Sequence, residues 1–282
     1  MACDFPYSIQ NPTWPLRSKT KFIPVPCGKC PECCMRRSNN WQFRLLQQEK
    51  ASSSASFVTL TYNTDHVPMS KRGFMTLCKT DFQDFMKRLR YYHPKGAKLR
   101  YYAVGEYGSK TFRPHFHAII FDLDREQLPK AWTLGDIHIG DVSGASVAYT
   151  TKYMHKGKMI PVHSNDDRIP EFSLMSKKLG ANYLTPQMVA YHQADLTRNY
   201  VTLEGGVKVA MPRYYREKIY SEEQRNLQNL HNEKLAKSAL ADAEESYHRR
   251  TGTSDFERAD FEARKAKLEN FRKRARDGRK SI

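Results

Sequence analysis

Tyr101-Tyr-Ala-Val-Gly-Glu106-Tyr-Gly108 and, after a short polar link, Arg113-Pro-His115-Phe-His117-Ala-Ile-Ile-Phe121 decide how the chain is read. Apolar and aromatic residues crowd both ends of this stretch, while Gly105, Gly108 and Pro114 punctuate its middle. The pattern predicts two strands joined by a loop. Side chains alternate faces along a strand, so His115 and His117 point one way, Phe116 and Ala118 the other. With antiparallel pairing, Glu106 lies beside the two imidazoles. Two neutral imidazoles and one carboxylate can hold a divalent cation such as Mg2+ or Mn2+ and leave positions open for substrate.

Outward from this pair, Phe57-Val-Thr-Leu-Thr-Tyr62 is a strand by residue type, with Phe57, Thr59 and Thr61 on one face. Asp81 to Tyr92 is a helix capped by Thr80, and Phe82, Phe85, Met86 and Leu89 make its apolar side. Asp124 to Trp132 reads as a second helix and Asp136 to Val142 as another strand, on which His138 is a surface or core histidine rather than a fourth ligand.

Before the strand, residues 1–26 are Pro-rich and aperiodic, and read as an extended arm. Cys27-Gly-Lys-Cys30-Pro-Glu-Cys33-Cys34 follows, two Cys-x-x-Cys steps that can offer three thiolates to a structural zinc ion. Cys3, Cys34 or a distant histidine could supply the fourth ligand; the plainer alternative is a set of reduced cysteines packing a turn at the head of a helix. That helix covers residues 35–50, with Arg36, Arg37 and Arg44 as basic surface.

Past the last predicted strand, Gly144 to Lys156 forms a helix capped by Ser143, placing Tyr149, Lys152, Tyr153 and Lys156 on one face. Half-buried tyrosines with lysine cover would satisfy this spacing. So would a nucleophile, because tyrosine is one of the few side chains that attack phosphorus covalently. Phe172 to Gly180 reads as a loop carrying Lys177 and Lys178, and Val201 to Val209 as a hairpin turning at Gly205-Gly206. Beyond Pro212-Arg-Tyr-Tyr-Arg216 the chain is helical, with capping boxes at Ser221 and Ser254. Arg264 to Lys280 is a basic run that serves equally as a DNA-contacting tail or a solvated helix end. The composition divides the chain into residues 1–50, 51–216 and 217–282.

A net charge of +17 implies a polyanionic partner, and 16 Tyr and 14 Phe can stack on bases, so nucleic acid is favoured over anionic lipid. No apolar run is long enough for a membrane span, and the N-terminus lacks the pattern of a signal peptide, so an intracellular protein with reduced thiols is expected.

His115-Phe-His117 matches the His-hydrophobic-His signature of the HUH endonucleases; Phe57-Val-Thr-Leu-Thr resembles their first Rep motif, and Tyr149-x-x-Lys152-Tyr153-x-x-Lys156 their tyrosine motif. Pro26-Cys27-Gly-x-Cys30-x-x-Cys33, Gly105-Glu-Tyr-Gly, Arg113-Pro-His-x-His, Phe172-Ser-Leu-Met-Ser and Pro212-Arg-Tyr-Tyr together resemble the replication initiators of gokushovirus-type Microviridae, small single-stranded DNA phages. Lys177-Lys-Leu-Gly180 departs from the more glycine-rich loop expected there. The resemblance implies an α+β fold: a split βαβ, RRM-like five-stranded antiparallel sheet with flanking helices, followed by a C-terminal helical extension. It implies Glu106, His115 and His117 as metal ligands, Tyr149 and Tyr153 as nucleophiles assisted by Lys152 and Lys156, and a covalent phosphotyrosine in rolling-circle replication. Arg36, Arg37, Arg113, Lys177 and Lys178 are candidate DNA contacts. Single-stranded DNA and a phage origin are the expected partners, in the host bacterial cytoplasm. The sequence shows no P-loop, so unwinding falls to a host helicase, alongside a host polymerase. A non-catalytic nucleic-acid-binding protein with a zinc knuckle, and a mobilisation relaxase or transposase with the same chemistry, are the competing readings.

Overall fold

The computed structural model describes residues 3–12, 14–16, 20–94, 98–142 and 160–277. In chain order, β1 (Tyr7–Gln10) and β2 (Phe22–Val25) precede helix α1 (Pro31–Lys50) and β3 (Ala55–Thr61). Helix α2 (Lys79–Tyr92) leads to β4 (Arg100–Tyr107), β5 (Pro114–Phe121), the short helix α3 (Leu128–Ala131) and β6 (Ile137–Asp141). Then come β7 (Phe172–Met175), α4 (Pro186–Gln193), β8 (Tyr200–Thr202), β9 (Lys208–Ala210), α5 (Arg213–Ile219), α6 (Glu222–Thr251) and α7 (Phe256–Asp277). Contacts group the chain into two compact units, Met1–Asn40 with Leu184–Ala275, and Trp41–Tyr183 with Arg276–Ile282. These boundaries differ from the composition-based segments.

The second unit is built on one antiparallel sheet of order β6-β3-β5-β4-β7. Strands β3 and β4 both run antiparallel to β5, which lies between them, so β3-α2-β4 is a split βαβ unit. The α+β expectation, with its five antiparallel strands, flanking helices and C-terminal helices, is borne out. On one face of the sheet, Phe82, Phe85, Met86 and Leu89 of α2 pack on Val58, Leu60, Ala103, Phe116, Ala118 and Ile120, joined by Leu128, Ala131 and Trp132. Each large side chain buried there contributes roughly 1.5–3 kcal/mol. On the other face, Leu45 of α1 packs with Tyr102, Val104, Ile119 and Phe121, and the Trp41 ring lies tilted against Tyr102 at 5.1 Å between centroids. Arg44 is not basic surface alone: its guanidinium donates twice to the Leu179 carbonyl (3.1 and 2.9 Å) and lies over the Trp41 ring.

Gly105 is required by close packing, since a Cβ there would meet Leu77 and Phe172 at 3.1 Å and Phe116 at 3.2 Å. The loop between β4 and β5 is drawn tight by Gly108 N–H donating to the Arg113 carbonyl and Phe112 N–H to that of Gly108, with Phe112 at a positive φ of 52°.

Several local expectations are corrected. Residues 172–175 are not loop but the edge strand β7, because β4 offers an unpaired edge and Phe172–Gly105 to Met175–Tyr102 satisfy it. Thr80 does not cap α2, which begins at Lys79; Cys78 precedes it and makes no side-chain cap. The helix expected over Asp124–Trp132 is a 3-10 turn at Arg125–Gln127 running into α3, with Asp124 accepting from Glu126 N–H. The arm over residues 1–26 holds an antiparallel pair, β1 with β2. The hairpin at Gly205-Gly206 is present, as Val201 pairs with Val209. The capping box at Ser221 closes with Gln224 in both directions, whereas α7 starts at Phe256, one residue too late for Ser254 to cap it.

Candidate metal centre

Strands β4 and β5 sit in register with Glu106 directly opposite His115 and Val104 opposite His117. Residues two apart on a strand share a face, so the carboxylate and both imidazoles emerge together, as the alternation requires. They lie on the face that carries Tyr102, Val104 and Ile119, beyond the end covered by Leu45. Glu106 Oε1 is 2.9 Å from Nε2 of His115 and 2.9 Å from Nε2 of His117. Glu106 is 5% exposed and His117 8%. Burial pushes the Glu106 carboxyl up, but hydrogen bonds from His115 and His117, with their charge, outweigh it and hold the group below its ordinary value.

Neighbouring strands orient the rings. Thr59 on β3 pairs with His117, and its Oγ1 lies 2.8 Å from His117 Nδ1. Phe57, two residues earlier, stacks on the same ring at 5.4 Å between centroids. Nδ1 of His115 faces the Arg113 carbonyl at 3.2 Å. A carbonyl only accepts, so this nitrogen carries the proton in the neutral ring, and Nε2 then turns a lone pair toward Glu106. A lone pair facing a carboxylate at 2.9 Å calls for a cation between or beside them, either a proton on the ring or a metal ion. The three ligand atoms all lie within 4.8 Å of one another. In an octahedral site with ligands at about 2.1 Å, adjacent donors stand about 3 Å apart, so the spacing of the carboxylate and the two imidazoles suits one divalent cation.

Tyr149, Lys152, Tyr153 and Lys156 lie outside the described residues. Of the candidate DNA contacts, Arg113 is engaged with protein: its Nε and Nη2 donate to the Tyr62 carbonyl at 3.2 and 2.9 Å, tying the start of β5 to the end of β3. Lys177 and Lys178 are exposed just after β7, with Lys178 at a φ of 59°. Arg37 is exposed and reaches the Gly28 carbonyl at 3.3 Å, and Arg36 points its guanidinium at Cys33 Sγ at 3.7 Å.

The cysteine cluster differs from the four-residue set Cys27, Cys30, Cys33 and Cys34. Cys3 joins Cys27, Cys30 and Cys33, and Cys34 does not. In a helix Cys34 follows Cys33 by a 100° turn, and its Sγ faces the carbonyls of Lys29 (3.7 Å) and Gly28 (4.0 Å).

Thr59 and Phe57 were legible only as a strand face; their role at His117 depends on the β3–β5 register. The ion pair of Asp166 with Arg168 went unread altogether. Arg168 donates to both carboxylate oxygens at 2.8 Å and lies beneath the rings of Phe74, Tyr107 and Phe112. Isolated charges in an aperiodic stretch give no sequence signal of this kind.

The family of replication-associated proteins of the ORF2 type matches residues 55–158, which include the strands of the triad. Among curated proteins, the chain is 28% identical over 218 residues to the replication-associated protein VP4 of Bdellovibrio phage phiMH2K, covering 68% of this chain and 66% of that one. It is 27% identical to the replication-associated protein ORF2 of Spiroplasma virus 4 (68% and 66% covered) and 26% identical to the replication-associated protein ORF4 of Chlamydia phage 1 (71% and 55% covered). The match thus spans about two thirds of the length of the first two relatives and 55% of the third. No solved structure matches the chain. Among the described residues, no helix is long and apolar enough to cross a membrane.

Proposed function

From its likeness to replication-associated proteins of small phages, we propose that this chain is an HUH-type initiator that nicks single-stranded origin DNA and starts rolling-circle replication. The observation that carries the reading is the convergence of Glu106 Oε1 and the two imidazole Nε2 atoms at 2.9 Å on adjacent central strands. Glu106, His115 and His117 would hold Mg2+ or Mn2+. Such an ion, when bound, draws charge from the non-bridging oxygens of a phosphodiester. The phenol oxygen of Tyr149 or Tyr153 attacks phosphorus, and the P–O3′ bond breaks. The 3′ oxygen leaves with the electron pair and takes up a proton, while the DNA 5′ end stays on the protein as a phosphotyrosine. Lys152 and Lys156, each three residues after a tyrosine in the sequence, would as ammonium ions favour phenolate and contact the phosphate, the phenol proton passing to solvent. A second tyrosine, four residues on in the sequence, suits transfer of the strand and rejoining.

The exposed Lys177 and Lys178, with the +17 net charge, supply attraction for the DNA backbone. The protein would act in the bacterial host alongside the host helicase and polymerase. The test is incubation of the chain with 3′-labelled single-stranded origin DNA and Mn2+. A denaturant-resistant labelled adduct is expected, lost in chelator and lost in the double variant Tyr149→Phe, Tyr153→Phe. An adduct that persists in the double variant refutes the assignment of the nucleophiles.

A further inference from the structure

The cysteine cluster lies in the first compact unit, takes no part in the nicking reading, and is independent of it. Four sulfurs converge there. Cys3, Cys27, Cys30 and Cys33 each place Sγ within 4.8 Å of the other three, and Cys30 Sγ stands 4.0 Å from Cys3 Sγ. In a tetrahedral zinc site with Zn–S near 2.3 Å, sulfurs stand about 3.8 Å apart. All six cysteines are free. Two disulfides would draw four sulfurs into two bonded couples, whereas these share one centre.

Hydrogen-bond donors are aimed at three of the four sulfurs, those of Cys3, Cys27 and Cys33. Cys27 N–H donates to Cys3 Sγ at 3.3 Å, and the N–H groups of Lys29 and Cys30 donate to Cys27 Sγ at 3.4 and 3.3 Å. The Arg36 guanidinium donates to Cys33 Sγ at 3.7 Å. Donors aimed at sulfur stabilise ligating thiolates and fix their direction. The turn that aims them needs Gly28 at a φ of 70°, the left-handed region glycine adopts at least cost. We propose that Cys3, Cys27, Cys30 and Cys33 bind one structural zinc ion.

This centre joins three distant pieces of chain. Cys3 and Phe5 come from the N-terminal arm, Cys27 to Cys33 from the knuckle, and Leu268 of α7 packs on the cluster. Around it Phe5 meets Phe261 edge to face at 6.4 Å, Arg264 donates to the Asp4 carbonyl, and Lys267 pairs with Glu32. Zinc therefore staples the arm and α7 to the knuckle, and its removal loosens both.

The experiment uses the full chain, purified without chelator or added metal. Elemental analysis is expected to give one zinc per chain, and titration with a mercurial to release that zinc as four thiols react. Cys3→Ser is expected to lower the zinc content, and Cys34→Ser to leave it at one. Hydrogen exchange of the wild type before and after zinc removal covers the case in which Cys3→Ser fails to fold: amides of α7 should exchange at least tenfold faster without the ion. A chain with no zinc and no uptake of added Zn2+ overturns the proposal, as does iron in its place or an intact mass lowered by disulfide formation. Loss of zinc in Cys34→Ser with retention in Cys3→Ser overturns the ligand set.

Discussion

Replacing Thr59 with valine tests the metal centre without touching a ligand. When His117 presents its Nε2 lone pair to a cation, its Nδ1 must carry the proton, and Thr59 Oγ1, 2.8 Å away, accepts it. Valine keeps the shape and the strand preference and removes the acceptor. His117 is only 8% exposed, so the lost hydrogen bond costs the bound state about 1–3 kcal/mol. That corresponds to a fall in affinity of about 5- to 150-fold, in line with the ~10–100-fold usual when a ligating histidine loses its outer partner. Titration of Mn2+ followed by calorimetry, or by the electron-spin signal of the free ion, reads the affinity directly. Thermal unfolding with and without Mn2+ separates binding from folding: the metal-free midpoint should move little, and the Mn2+-induced rise should shrink. If Thr59→Val binds Mn2+ as tightly as the wild type, the threonine does not orient a ligand. If the metal-free and metal-loaded midpoints fall equally, its role is structural.

Three further outcomes are expected. Asp166→Asn strands the buried Arg168 cation and should cost about 3–5 kcal/mol at pH 7 in urea unfolding. The Arg168 hydrogen bonds hold the Asp166 carboxyl far below the usual carboxylate range, so its contribution is complete above the unfolded value of about 4 and fades as pH falls through the native one. The gap between wild type and variant should therefore narrow below about pH 4. Gly135→Ala would bring a Cβ to 2.2 Å from the Thr61 carbonyl oxygen and 2.5 Å from Asn63 N, a clash with backbone that should cost about 3 kcal/mol, read from the urea midpoint. The double variant Lys177→Ala, Lys178→Ala should weaken single-stranded DNA binding for all sequences alike and lower the slope of log affinity against log salt by about 1–2, measured by fluorescence anisotropy.

The triad was legible because a strand's two-residue period is short and strict: His-x-His declares its own face, and a nearby hairpin partner brings Glu106 to it. The apolar side of α2, from Phe82 to Leu89, was equally plain, since a helical stripe survives errors of a residue at the ends. Strand β7 was not legible. Four residues with one serine carry too little pattern, and what makes them a strand is the open edge of β4, which no local window contains. Cys3 stood among the open candidates for the knuckle's fourth ligand, and its selection over Cys34 depended on a fold-back of 24 residues. The Tyr149–Lys156 motif, expected on a helix, lies outside the described residues.

The Glu106–His115 pairing also guards the alignment of the sheet. Were β5 to slip by one residue against β4, both imidazoles would turn into the apolar layer under α2, and Phe116, fully buried there, would turn out. A cation that binds only the correct alignment adds a stability of RT ln(1 + [cation]/Kd) to it, about 2.7 kcal/mol at a hundred times Kd, and nothing to the slipped sheet. The same three side chains that would serve the chemistry thus act as a proofreading mark on the strands that carry them.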